Sequence, residues 1–250
     1  MLAAVGGNLG LLGRYTEARA ACAEALELLS GSVSDKIRAL AMNTLGLAAM
    51  HMNDIAEGRR LMANSIEIAQ KLKHISEAAY RLNLAELEFR AGDIGRALEY
   101  GRETLDCARA TPRHPCLGLA LRNLASFLLV FKNPAEARPF AEEAFALLGN
   151  QGEFEAMACL PQWVVFGAFD GRFVEAAQLI GFIEANRGGR NGMLDPTEHR
   201  TYDLVPEMLE AELPRADIER LRAEGARWIR SEAIQFASSR LVPRPGSVRA

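Results

Sequence analysis

The chain has 250 residues, 49% of them hydrophobic and 24% charged, with a formal net charge of −3. That composition excludes a disordered or low-complexity chain, and the mild negative charge leaves no positive field to draw in phosphate backbones, so direct nucleic-acid binding is not expected. Four cysteines without a CxxC pair, in a chain with ample core, argue against a disulfide scaffold. They read as small residues of a reduced, cytoplasmic protein, and no run of about 18 apolar residues marks a membrane span.

In chain order, the apolar start Met1–Gly13 lacks the basic stretch of a signal peptide and reads as a helix over 2–12. A turn follows at Gly13-Arg14-Tyr15-Thr16-Glu17-Ala18, and four later segments resemble it: Asn53–Gly58, Gly92–Ala97, Lys132–Ala137 and Gly171–Ala176. Their first residues are separated by 40, 39, 40 and 39 positions. Even spacing of this kind marks a repeat architecture. In each, Gly or Asn ends one helix where a left-handed conformation costs it least, Lys132 excepted. Asp54, Asp93 and Asn133 are suited to cap the next helix, and Pro134 fits its first turn. A small residue then recurs: Ala18, Gly58, Ala97, Ala137, Ala176. Upstream of each turn lies an apolar-small pair, Val5-Gly6, Leu45-Gly46, Leu84-Ala85 or Leu124-Ala125, replaced in the fifth repeat by Trp163-Val164.

The turns and the 3.6-residue apolar period predict helices at 16–29, 34–52, 54–73, 76–91, 93–110, 116–131, 134–148, 153–169 and 172–186. Short connections make neighbours antiparallel. The expected domain organisation is five helix pairs over 1–186, C-terminal capping helices over 187–240 and a disordered tail over 241–250. Arg187–Gly192 reads as a connector and Asp195 as a cap. A helix runs to about Leu213 with a break at Pro206, another from Pro214 to Glu224, and a last one from Ser231 carries Ile234 and Phe236 to the core.

The apolar-small pair, the Gly-Asp-type turn and the following alanines resemble the tetratricopeptide (TPR) family over about residues 1–185. The period near 40 departs from that family's 34, and the first-helix tryptophan is missing from repeats one to four. The resemblance implies an all-α, TPR-like α-α superhelix: a right-handed solenoid of antiparallel helix pairs with a concave groove. The segments Glu175-Ala176-Ala177-Gln178-Leu179-Ile180-Gly181, Tyr202, Ala223-Glu224-Gly225-Ala226 and Ser231-Glu232-Ala233 carry a second resemblance. They are similar to the C-terminal repeat region of bacterial signal-transduction NTPase transcriptional regulators of the LuxR-type, winged-helix or adenylate-cyclase-linked kind. That resemblance implies a sensor or scaffold portion, since the sequence holds no GxxxxGK[ST] and no basic recognition helix. A stand-alone TPR scaffold assembling a protein complex is the alternative. The apolar residues Leu2, Val5, Leu9 and Leu12 suggest further repeats upstream or homo-oligomer formation through this end.

The TPR resemblance puts the first helix of each pair on the concave face. Its register selects Asn43, Leu47, Met50 and His51, then Asn83, Glu86 and Arg90, then Arg122, Asn123 and Ser126, then Gln162 with Val165. A row of asparagines can hold an extended peptide backbone, and arginine pairs well with carboxylate. The expected partner is a protein or peptide, or a small-molecule effector. None of the four lysines stands where a clamp for acidic chaperone tails needs one. His51, His74, His114 and His199 lack zinc spacing, no GxSxG occurs, and no cofactor or catalytic role is expected.

Overall fold

The computed structural model describes residues 13–28, 34–186 and 196–242, together with Gly6 and Leu9. The expected helix 2–12 lies outside the described residues apart from those two, as do the connector 187–192, Asp195 and the tail beyond 242. The described residues are all-α, with no strand among them. The helices are α1 (Tyr15–Leu28), α2 (Asp35–His51), α3 (Ile55–Lys71), α4 (Glu77–Ala91), α5 (Ile94–Arg109), α6 (Leu117–Val130), α7 (Pro134–Gly149), α8 (Glu153–Met157), α9 (Leu160–Phe169), α10 (Phe173–Ala185), α11 (Pro196–Tyr202), α12 (Pro206–Glu212), α13 (Arg215–Gly225) and α14 (Arg230–Arg240). The chain divides into two compact units, residues 1–120 and 121–250.

All five turns fall where the repeat spacing puts them. Gly13, Asn53, Gly92, Lys132 and Gly171 have φ of 73°, 63°, 89°, 60° and 72°. The left-handed residue lets the following N–H reach back to a carbonyl five residues earlier: Asp54 to Ala49 at 2.8 Å, Asp93 to Glu88 at 3.0 Å, Asn133 to Leu128 at 2.9 Å, Arg172 to Gly167 at 2.8 Å. These bonds satisfy helix-end carbonyls that otherwise have no partner. The side chains of Asp54, Asp93 and Asn133 accept from the N–H of Glu57, Arg96 and Glu136 at 3.2, 3.1 and 3.2 Å, capping α3, α5 and α7.

The turns between pairs also repeat. Lys73 and Arg113, 40 residues apart, are left-handed at φ 49° and 55°. Each is followed by a histidine whose Nδ1 accepts a backbone N–H two residues on, His74 from Ser76 at 3.3 Å and His114 from Cys116 at 3.1 Å. His114 Nε2 lies 3.0 Å from the carbonyl oxygen of Ile75. A neutral imidazole with its proton on Nε2 satisfies both contacts.

In the first unit each helix from α1 to α5 packs on the next. Its core joins Ala39, Met50, Met62, Ile66, Ala69, Tyr80, Leu84 and Leu87. The recurrent small residues Ala18, Ala97, Ala137 and Ala176 are all fully buried. Glu88 is also fully buried, held bidentately by Arg59 at 2.7 Å.

In the second unit α9 is buried from Leu160 to Ala168 and packs on α10, α11 and α7. The single helix expected over 153–169 is in fact two, α8 and α9, separated at Ala158–Cys159. Pro161 supplies no N–H and its ring collides with the carbonyl four residues earlier. Pro206 likewise separates α11 from α12. α14 buries Ala233 and Ala237. Ile234 and Phe236, expected in the core, are half-buried, and Phe236 packs on Trp228 with ring centroids 4.5 Å apart. The 3.6-residue period of α14 turns only its two alanines fully inward.

The two glycines of the C-terminal motifs meet across α10 and α13. A Cβ on Gly181 would lie 1.9 Å from the Arg222 carbonyl oxygen, and one on Gly225 would lie 1.7 Å from that of Gln178. Gln178 Nε2 donates to Glu224 Oε2 at 2.9 Å beside this crossing, and Arg222 Nε donates to Glu184 Oε2 at 3.1 Å. Either methyl would meet rigid backbone, so the helices would have to separate. Gly181→Ala and Gly225→Ala are each expected to cost about 1–3 kcal/mol, read as a lower urea midpoint. Gly149→Ala, where nothing lies within 4 Å, should leave the midpoint unchanged or raise it slightly. His114→Ala should cost about 1 kcal/mol in the same measurement, the usual loss for a helix cap.

Candidate functional site

In the first unit the polar row runs across α2 and α4. Asn43 is buried at 6% exposure, and its Oδ1 accepts from Asn83 Nδ2 at 3.1 Å. The two equivalent amides therefore bond each other across neighbouring pairs, and Asn83, half-buried, is the more accessible. Leu47 and Glu86 are half-buried on the same helices. Met50 is a correction: it is 4% exposed and belongs to the apolar core, because its place on α2 turns it toward Met62 and Leu84.

His51 closes α2 at the surface. Its ring stacks on Tyr15 of α1, with centroids 4.0 Å apart and planes 9° from parallel. Its Nδ1 lies 3.3 Å from Arg90 Nη1. A guanidinium only donates, so Nδ1 accepts and the imidazole is neutral. Loss of water around the ring, and then the nearby Arg90 charge, lower the His51 pKa to about 4.

In the second unit Arg122 and Asn123 are neighbours on α6, and Arg122 donates from Nε and Nη2 to Asn123 Oδ1 at 3.3 and 3.1 Å. Asn123, Ser126, Gln162 and Val165 are buried, at 6%, 3%, 1% and 0% exposure. Gln162 Nε2 donates to Ser126 Oγ at 2.8 Å and to the Arg122 carbonyl oxygen. Its Oε1 is buried with no hydrogen-bond partner among the described residues. Burial places Val165 and Gln162 inside the helix packing, where the expected register had put them on the groove. Trp163 is fully buried, edge-on to Phe145 at 5.9 Å. Arg138 sits 4.5 Å over the Phe166 ring and pairs with Asp170 at 2.9 Å.

The cysteines are free thiols, Cys22 and Cys159 buried and Cys107 and Cys116 half-buried. Burial pushes the thiols of Cys22, Cys107 and Cys116 upward, which keeps them protonated at neutral pH. Tyr15 and the two capping histidines escaped the sequence reading. The signal for the histidines was their 40-residue spacing, shared with the turns.

The tetratricopeptide repeat model matches residues 37–110 and 76–150. Residues 37–150 are a TPR-like repeat region. Among curated proteins none matches the sequence. Solved structures agree on the fold. A protein of Podosopora anserina described as a putative kinesin light chain with nearly identical TPR-like repeats is 14% identical, with a TM-score of 0.53 over 91% of this chain and 96% of its own. A point variant of that same protein is 15% identical, with a TM-score of 0.54 over 90% and 93%. The chain is thus all-α and TPR-like, a fold that suggests a protein-binding scaffold. Among the described residues no helix is long and apolar enough to cross a membrane.

A pH dependence follows from His51. Its folded pKa of about 4 lies below the ordinary imidazole value of about 6.5, so between these values the unfolded chain binds more protons. The stabilising contribution is complete above about pH 6.5 and is lost progressively as the pH falls toward 4. The drop in urea midpoint from pH 7 to pH 5 should be smaller in His51→Gln than in the native sequence.

Proposed function

We propose that this chain is a non-catalytic binding module for a protein or peptide partner, with the first helix of each pair contributing the binding face. One observation carries the reading. An amide side chain recurs at the same place in the sequence of successive repeats, Asn43 and Asn83 in the first unit and Asn123 in the second, at intervals of 40. An amide both donates and accepts, which suits the backbone of an extended peptide. Asn83 keeps accessible surface at that position.

The module belongs, in this proposal, to the sensor and scaffold region of a bacterial transcriptional regulator. Support comes from the likeness of the segments Glu175–Gly181, Ala223–Ala226 and Ser231–Ala233 to the C-terminal repeats of such regulators. Partner binding would then bias how an attached effector is held.

Affinity capture with quantitative mass spectrometry, comparing the native chain with Asn83→Ala/Asn123→Ala, tests the binding face. Recovery of the partner should fall at least tenfold while circular dichroism stays helical. Equal recovery by both proteins would remove the amide row from the binding face.

A further inference from the structure

In the first unit several register positions of the first helices keep accessible surface. Leu47 on α2 and Asn83, Glu86 and Arg90 on α4 are half-buried. In the second unit the first helix of the fifth pair keeps none at those positions: Gln162 and Val165 on α9 are 1% and 0% exposed. α9 carries an element with no counterpart in the repeat, the seven-residue α11, packed on it. α11 buries Thr197, Thr201 and Tyr202, at 1%, 0% and 5% exposure, and Val205 just after it is fully buried.

The hold on α11 is polar where a permanent core contact would be apolar. Thr197 Oγ1 is buried with no hydrogen-bond partner among the described residues. A hydroxyl in that state has given up its water and gained nothing in return. Thr201 Oγ1 donates to the Thr197 carbonyl oxygen at 2.8 Å, within α11 itself. The Tyr202 hydroxyl lies 3.5 Å from Glu184 Oε1, on a carboxylate already engaged by Arg222. Two helical turns are too few to be stable alone, so α11 depends on its packing. Short elements held this way open at less than the cost of global unfolding.

From this arrangement we propose that α11 is a displaceable cover. It occupies the α9 part of the binding face, and a peptide partner has to displace it to reach that part. The inference rests on the proposed binding face and adds its regulation. The tether makes α11 a competitor at high effective concentration.

The test uses the intact chain, native and as Thr197→Val and Arg200→Pro. Thr197→Val keeps the shape and removes the orphaned hydroxyl, and Arg200→Pro removes an N–H inside α11 and breaks its helix. Hydrogen exchange read by mass spectrometry should show α11 amides opening at least tenfold faster than those of α10, at a rate insensitive to low urea. Thr197→Val should slow that opening at least threefold. Fluorescence anisotropy with a labelled peptide of residues 196–205 should give at least tenfold tighter binding to Arg200→Pro than to the native chain, and weaker binding to Thr197→Val than to either. Should Arg200→Pro lose the helical circular dichroism of the native chain, the comparison of native with Thr197→Val still decides. Exchange of α11 only together with α10 overturns the cover and leaves the binding face untouched. If α11 opens by itself but the peptide binds folded Arg200→Pro no better than the native chain, the cover is overturned and α9 leaves the binding face with it.

Discussion

The fold depends on one local constraint, the left-handed residue that ends the first helix of each pair. At Asn53, Gly92, Lys132 and Gly171 it lets the next N–H bond a carbonyl five residues back. That closure stops the helix and returns the chain antiparallel. Everything downstream then follows from register. The cap falls on Asp54, Asp93 or Asn133, and the buried small residue falls four positions after each cap, at Gly58, Ala97 or Ala137. A shift of one residue would rotate the second helix by about 100° and replace that small residue with a larger neighbour.

This explains why the helix pairs were legible in the sequence and why some features were not. Gly and Asn announce a left-handed turn, because other residues adopt it at a cost. Lys132 was found only by its spacing. Lys73 and Arg113 adopt the same conformation between pairs and share the repeat spacing, but their residue types give no sign of it, since lysine and arginine are ordinary helix residues. The histidines that follow them, His74 and His114, have no metal-ligand spacing. Their task is backbone capping, which needs one ring nitrogen free to accept and leaves no mark in composition.

The polar row shows the opposite limit. Register puts Asn43, Asn83, Asn123 and Gln162 at one position of the repeat, but it does not say what each amide faces. In the first unit Asn43 and Asn83 satisfy each other, so burial of Asn43 does not leave its acceptor empty. In the second unit Gln162 donates to the Arg122 carbonyl oxygen and Ser126, and its own Oε1 has no partner among the described residues. Met50 went astray for a related reason: methionine suits a groove and a core equally well, and helical period alone does not separate the two.

The C-terminal motifs have a physical reading that needs no effector domain. A glycine in a helix sacrifices about 0.5–1 kcal/mol relative to alanine, so two of them at one crossing require an offsetting gain. Here the gain is contact between backbones, with Gly181 against Arg222 and Gly225 against Gln178. The close approach also brings Gln178 to Glu224 and Arg222 to Glu184, polar pairs that a wider crossing would pull apart. A side chain on either glycine would meet that backbone and force the two helices apart. The motifs therefore mark a close backbone crossing between α10 and α13.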